Sequence, residues 1–242
     1  ARMIELASVL ALALLPPAGS LVGSFLAENV RTPKWIVGAG LHTAAGVAIA
    51  VVSIELMPRI LPATPKWVIA AAFLIGAAIA LALALLARKV KGAGQGRAWM
   101  LCVAVVADLS SDGLMTGVGA AVASSLGFLI AVSQSVANIP GGFAATASLR
   151  QHGVSRKQRM TAAALLVIPA VLSCGLGYWL LRDANPTAQN AALMVIVGVL
   201  VVTTIEDVVP EGDASLRLPR WISTTALALG FVGLALLSTY FH

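Results

Sequence analysis

The stretch AWMLCVAVVADLSSDGLMTGVGAAVA, residues 98–123, decides how the rest of the chain is read. It is apolar and long enough to cross a bilayer, for which about 20 mainly apolar residues suffice. Yet it carries Asp108 and Asp112. A carboxylate in hydrocarbon is costly, so it normally faces the interior of a helix bundle and marks an ion or proton path. The two acids stand at i and i+4, on one helix face and one turn apart. In a low-dielectric setting they repel unless a cation joins them or one takes up a proton. Ser110 and Ser111 add hydroxyls beside them, while Gly113 and Gly117 let another helix come close.

Working outward, the same rule of length gives eight spans: Ile4–Ala27, Lys34–Leu61, Lys66–Ala87, Ala98–Ala123, Ser125–Leu149, Gln158–Leu181, Ala188–Pro210 and Trp221–Tyr240. The composition agrees, with 59% hydrophobic and 11% charged residues and a mean hydropathy of +0.94. A soluble domain carries about 25% charged residues. The connections are too short for a second domain, so residues 1–242 are read as one all-α membrane domain. Pro16-Pro17 interrupts the first span, and no small-residue cleavage site follows it, which predicts a retained helix. Cys102 and Cys174 lie inside separate spans and give no disulfide framework. No nucleophile with a partnered base and no phosphate loop is visible, which argues against an enzyme and against a tightly bound cofactor.

The net charge of +6 does not form a nucleic-acid patch. Twelve basic residues fall in alternate connections: Arg31 and Lys34, then Arg88, Lys89, Lys91 and Arg97, then Arg150, Arg156, Lys157 and Arg159, then Arg217 and Arg220. Only Arg2, Arg59, Lys66 and Arg182 fall on the other side. The positive-inside rule then puts both termini outside.

Two spans repeat one another. GVAIAVVSIELMP from Gly46 and GVLVVTTIEDVVP from Gly198 align so that Glu55 meets Asp207 and Pro58 meets Pro210. The charge count makes them run in opposite directions, as an inverted-topology repeat requires. The fifth span supplies Gln134, Ser135 and Asn138, followed by Pro140-Gly141-Gly142. Gln134 and Asn138 are one turn apart, and Pro140 frees carbonyl groups near residue 136. Such a break is tolerated in a membrane where it is buried in protein or lines a wet cavity.

In these motifs the chain resembles the ZIP (Zrt/Irt-like) family of divalent-metal transporters. That family carries His-Asn-x-Pro-Glu-Gly or His-Ser-x-x-Asp-Gly in its fourth span, where this chain has Asp108-Leu109-Ser110-Ser111-Asp112-Gly113. Its fifth-span His-Asn-x-Pro-Glu-Gly is matched by Ala137-Asn138-Ile139-Pro140-Gly141-Gly142. Glu206-Asp207-Val208-Val209-Pro210-Glu211 stands for His-Glu-x-x-Pro-Glu in the seventh, and Ala44-Ala45-Gly46-Val47 with Glu55 and Pro58 for the second-span pattern. The resemblance implies eight spans in a 3+2+3 inverted-repeat bundle with both termini outside. It also implies a metal site on the fourth and fifth spans, alternating access, and a homodimer. The departures are specific: Asp108, Ala137 and Glu206 replace histidines, Gly141 replaces the metal-bridging Glu, and the third connection lacks the histidines common there.

Zinc favours His and Cys, whereas oxygen ligands suit harder ions such as manganese, magnesium or calcium, with ferrous iron possible. A single ion is therefore expected, held by Asp108, Asp112 and Asn138, with Gln134, Glu206, Asp207 and Glu55 as further candidates. The alternatives are a ZIP-like fold that has lost its metal and carries protons or another solute, and a non-transporting sensor. The expected partners are the metal ion and the lipid bilayer, without nucleic acid, and the Ala-rich composition suits a bacterial inner membrane. His42 is read as a satisfied polar group, and His152, His242, Glu211 and Asp213 as solvated. Trp35, Trp67, Trp99, Trp179 and Trp221 near span ends are read as interfacial anchors.

Overall fold

A computed structural model describes residues 2–29, 34–89, 95–214 and 219–239. Arg31, Lys91, Arg217 and His242, used above for topology or set aside as solvated, lie outside the described residues. Every regular element among the described residues is helical. The first span is α1 (Arg2–Leu12) and α2 (Leu15–Asn29), and the second is α3 (Lys34–Ala50), a π-helical turn (Val51–Leu56) and α4 (Met57–Ala63). The third to fifth are α5 (Lys66–Lys89), α6 (Gln95–Val122) and α7 (Ser124–Gln151). Then come α8 (Arg156–Leu165) and α9 (Val167–Leu181), α10 (Pro186–Thr203) with a π-helical turn (Thr204–Val208) and α11 (Val209–Ala214), and α12 (Arg220–Ser238).

Seven helical stretches among the described residues are long and apolar enough to cross a membrane: Ala7–Asn29, Gly38–Ala63, Lys66–Leu85, Ser124–Gln151, Arg156–Leu181, Pro186–Val208 and Arg220–Ser238. The chain is an all-α, multi-pass membrane protein. With 28 residues, α6 also has the length to cross, but it carries the two aspartates.

Proline explains where the helices depart from regularity. Pro58 and Pro210 have no N–H for the carbonyls of Ile54 and Glu206, and their rings crowd those carbonyls. The backbone widens instead to π-type bonds, from Met57 N–H to Val52 O and from Val209 N–H to Thr204 O. Pro17 and Pro169 break the first and sixth spans differently, by a tightened turn three residues before each proline. There Leu14 N–H turns to Ala11 O at 3.2 Å and Leu166 N–H to Ala163 O at 3.3 Å. In each case adding 152 to the first residue number gives the second. The register extends to packing. An added Cβ on Gly76 of α5 would lie 2.2 Å from Val195 O, and one on Gly230 of α12 would lie 2.1 Å from Thr43 O. Thr43 and Val195 are again 152 apart, whereas Gly76 and Gly230 are 154 apart, so the register shifts by two residues between the third and eighth spans.

The helices pack in two sets. One comprises α1, α2, α6, α7, α8 and α9, and the other α3, α4, α5, α10, α11 and α12. Within the first set, Gly19 and Gly23 of α2 meet the carbonyls of Ser135 and Ile139, so α2 and α7 run in parallel. Gly113 and Gly117 of α6 meet Ala170 and Cys174 in the same sense, so α6 runs with α9. Side-chain bonds pair Asp112 with Asn138 and Thr116 with Gln134, which makes α6 and α7 antiparallel. It follows that α2 and α9 run in opposite directions. Between the sets the contact is made by larger side chains, with Met115, Val118, Leu126, Leu129 and Ile130 against Val47, Val51, Leu193 and Val197.

Candidate ion-binding site

The centre of the first set is polar although its surroundings are not. Asp112 and Asn138 are both buried, and Asn138 Nδ2 donates to Asp112 Oδ2 at 2.6 Å. The same amide nitrogen reaches the carbonyl of Pro16 at 3.4 Å. One turn further along α6 and one turn back along α7 lies a second rung. Thr116 Oγ1 donates to Gln134 Oε1 at 3.2 Å, and Gln134 Nε2 donates to Met115 Sδ at 3.2 Å. The i, i+4 spacing on each helix sets these rungs, because antiparallel helices bring every fourth residue of one opposite every fourth of the other.

Asp108, one turn before Asp112, is exposed. Glu206 and Asp207 are exposed, within the π turn that follows α10. Glu55, the counterpart of Asp207, has a different environment. It is buried in the π turn that follows α3 and accepts a hydrogen bond from Ser238 Oγ of α12.

The structure thus brings together Asp112, Asn138 and Pro16, with Gln134 on the adjoining rung and Asp108 one turn before Asp112 on α6. It holds Glu55 against α12 instead. Thr116 continues the Asp108–Asp112 row at i+4, a spacing that could have pointed to it although it was not named from the sequence. The Pro16 carbonyl was not legible, because a backbone acceptor from a distant span leaves no residue-type signal. Among the described residues, no group of three or more His, Cys, Asp or Glu side chains could hold a metal ion.

His42 is buried, with Nδ1 2.9 Å from Gly38 O and Nε2 3.2 Å from Asp213 Oδ1. Asp213 is exposed as expected, yet it is also a partner for that ring. His152 is half-buried, with Nδ1 2.8 Å from Ser148 O. Trp35, Trp67, Trp179 and Trp221 are all exposed. No family model matches the chain, and no curated protein matches it.

Proposed function

We propose that the protein is a ZIP-like carrier of divalent metal ions working by alternating access, with an oxygen-rich site that favours a harder ion such as manganese or ferrous iron over zinc. The observation that carries this reading is the Asp112–Asn138 contact of 2.6 Å joining α6 to α7. A carboxylate and an amide, buried in the middle of two long apolar helices, are costly to bury without a function. They also occupy the positions at which the resemblance implies a metal site. With the Asn138 amide turned so that its oxygen faces inward, both groups offer oxygen ligands.

The register of 152 residues through the first, second, sixth and seventh spans, the matching π turns and the opposed directions of α2 and α9 support an inverted repeat of spans one to three and six to eight around spans four and five. In this reading eight spans cross the membrane with both termini outside. One helix set then moves against the other with the ion at mid-membrane. The resemblance further makes the protein a homodimer, and the composition suits a bacterial inner membrane.

A second reading keeps the fold and drops the metal, so that Asp108 and Asp112 relay protons. It is favoured by the lack of any cluster of three or more His, Cys, Asp or Glu ligands among the described residues. Uptake of manganese, iron, zinc, cadmium, cobalt and magnesium into proteoliposomes separates the two. Uptake led by a hard ion supports the first reading, and zinc or cadmium in the lead defeats the argument from oxygen ligands. No uptake of any ion, with flux driven by pH alone, would establish the second.

A further inference from the structure

Many hydroxyls within these helices find a partner, Ser24, Thr116 and Ser238 on another helix and others on their own. Thr43, Ser53, Ser110, Ser173 and Thr203 each donate to the carbonyl four residues earlier, at 3.0, 2.7, 2.7, 2.7 and 2.9 Å. Ser20 does not. It is 1% exposed, and its Oγ has no hydrogen-bond partner. The carbonyl four residues earlier belongs to Pro16, and it is approached by Asn138 Nδ2 at 3.4 Å. Ser20 therefore departs from the pattern at the point where the first span touches the Asp112–Asn138 pair.

The packing keeps it there. Gly142 stands one turn beyond Asn138 on α7, and an added Cβ at Gly142 would lie 2.1 Å from Ser20 O. The bare glycine lets α2 sit against α7 at this level. A helical side chain leans over the turn that precedes it, which directs the Ser20 hydroxyl towards Pro16 and Asn138. A buried hydroxyl without a partner is disfavoured unless something else takes its lone pairs or its proton.

The geometry points to Ser20 as a third side-chain ligand. A hard divalent cation would be held from three helices, by the Asp112 carboxylate, the Asn138 amide oxygen and the Ser20 hydroxyl, with the Pro16 carbonyl beside them. This rests on the metal-carrier reading and goes beyond it, because it adds a first-span side chain to a ligand set otherwise drawn from the fourth and fifth spans. All three helices belong to one packing set, so the ion would travel with that set as a single body.

The test uses the full chain in lipid nanodiscs, with manganese and cadmium affinities measured by calorimetry for wild type, Ser20→Ala, Ser20→Cys, Thr64→Ala and Asp112→Asn. Thr64 is the other buried hydroxyl found without a partner, and it lies at the end of the second span. Ser20→Ala is expected to weaken manganese binding by about tenfold, the scale on which altered metal surroundings act, while Thr64→Ala leaves it unchanged. Ser20→Cys exchanges a hard oxygen for a soft sulfur, so it should raise the cadmium-to-manganese preference by about tenfold. Manganese binding lost in Asp112→Asn but equal to wild type in both Ser20 variants would overturn the Ser20 assignment alone. If Ser20→Ala does not fold, an unshifted cadmium-to-manganese preference in Ser20→Cys is sufficient to overturn it. Wild-type protein that binds neither ion would overturn this assignment together with the reading on which it rests.

Discussion

Asp112→Asn and Asn138→Leu are expected to behave in opposite ways, and the contrast tests the heart of the site. The Asn138 amide donates to Asp112 at 2.6 Å, and neither side chain has solvent to fall back on. A hydrogen bond to a carboxylate contributes about 1.5–3 kcal/mol and a neutral one about 0.5–1.5. Asp112→Asn keeps the shape and an acceptor oxygen while removing the need to bury a carboxylate. The loss and the relief largely cancel, so the ion-free melting temperature should barely move. Asn138→Leu leaves the Asp112 carboxylate buried without its amide, and about 2 kcal/mol or more should be lost. At about 2–4 °C per kcal/mol for a chain of this size, that is a fall of roughly 4–8 °C.

Adding the ion reverses the ranking. A ligand at 100 times its Kd stabilises the bound state by about 2.7 kcal/mol, or roughly 5–10 °C on the same scale. Wild type should gain this, Asn138→Leu should regain part of its loss because a cation satisfies the stranded carboxylate, and Asp112→Asn should gain almost nothing. The assay is a thermal melt of purified protein in detergent with and without manganese. A manganese shift in Asp112→Asn as large as in wild type would refute the role of this carboxylate as a ligand.

Three further outcomes are expected. Glu28 and Arg159 form a two-pronged ion pair between α2 and α8, with side chains 4% and 9% exposed. Glu28→Leu and Arg159→Leu should each cost about 3–5 kcal/mol, and the double replacement less than their sum; strict additivity in thermal melts would count against a coupled pair. An added Cβ at Gly141 meets nothing within 4 Å, whereas one at Gly117 lies 2.0 Å from Cys174 O. Gly117→Ala should thus destabilise by about 3 kcal/mol. Gly141→Glu should fold normally and raise zinc affinity about tenfold by restoring a carboxylate where the resemblance has one, and unchanged zinc binding in a folded variant would count against a site at this level. Glu55→Leu should cost about 1–3 kcal/mol by stranding the Ser238 hydroxyl, with ion preference unaltered in uptake; a changed preference would return Glu55 to the ion path.

Much of the architecture was legible because proline and acid spacing act locally. The Pro16-Pro17 pair marked the break between α1 and α2, whereas the acid-x-x-Pro ends of the second and seventh spans were read as a repeat and not as π turns. Pro169 broke the sixth span at Leu166, although the apolar run reads there as one helix. The site was legible in part. Asp112 and Asn138 have side chains that advertise chemistry. The different settings of Glu55 and Asp207 depend on what the neighbouring helix presents. Ser238 happens to face Glu55, and no repeat within the sequence carries that information. Ser20 was invisible for a related reason, since a serine in an apolar helix is ordinarily satisfied by its own backbone.

The π turns have a historical consequence. A π turn is an α-helix with one residue inserted, and an insertion is an event with a date. Both halves of the chain carry it at the same place, ending two residues before the matching proline. If the halves descend from one duplicated unit, the simplest order is that the residue entered before the duplication. A relative with the extra residue in only one half would reverse that order.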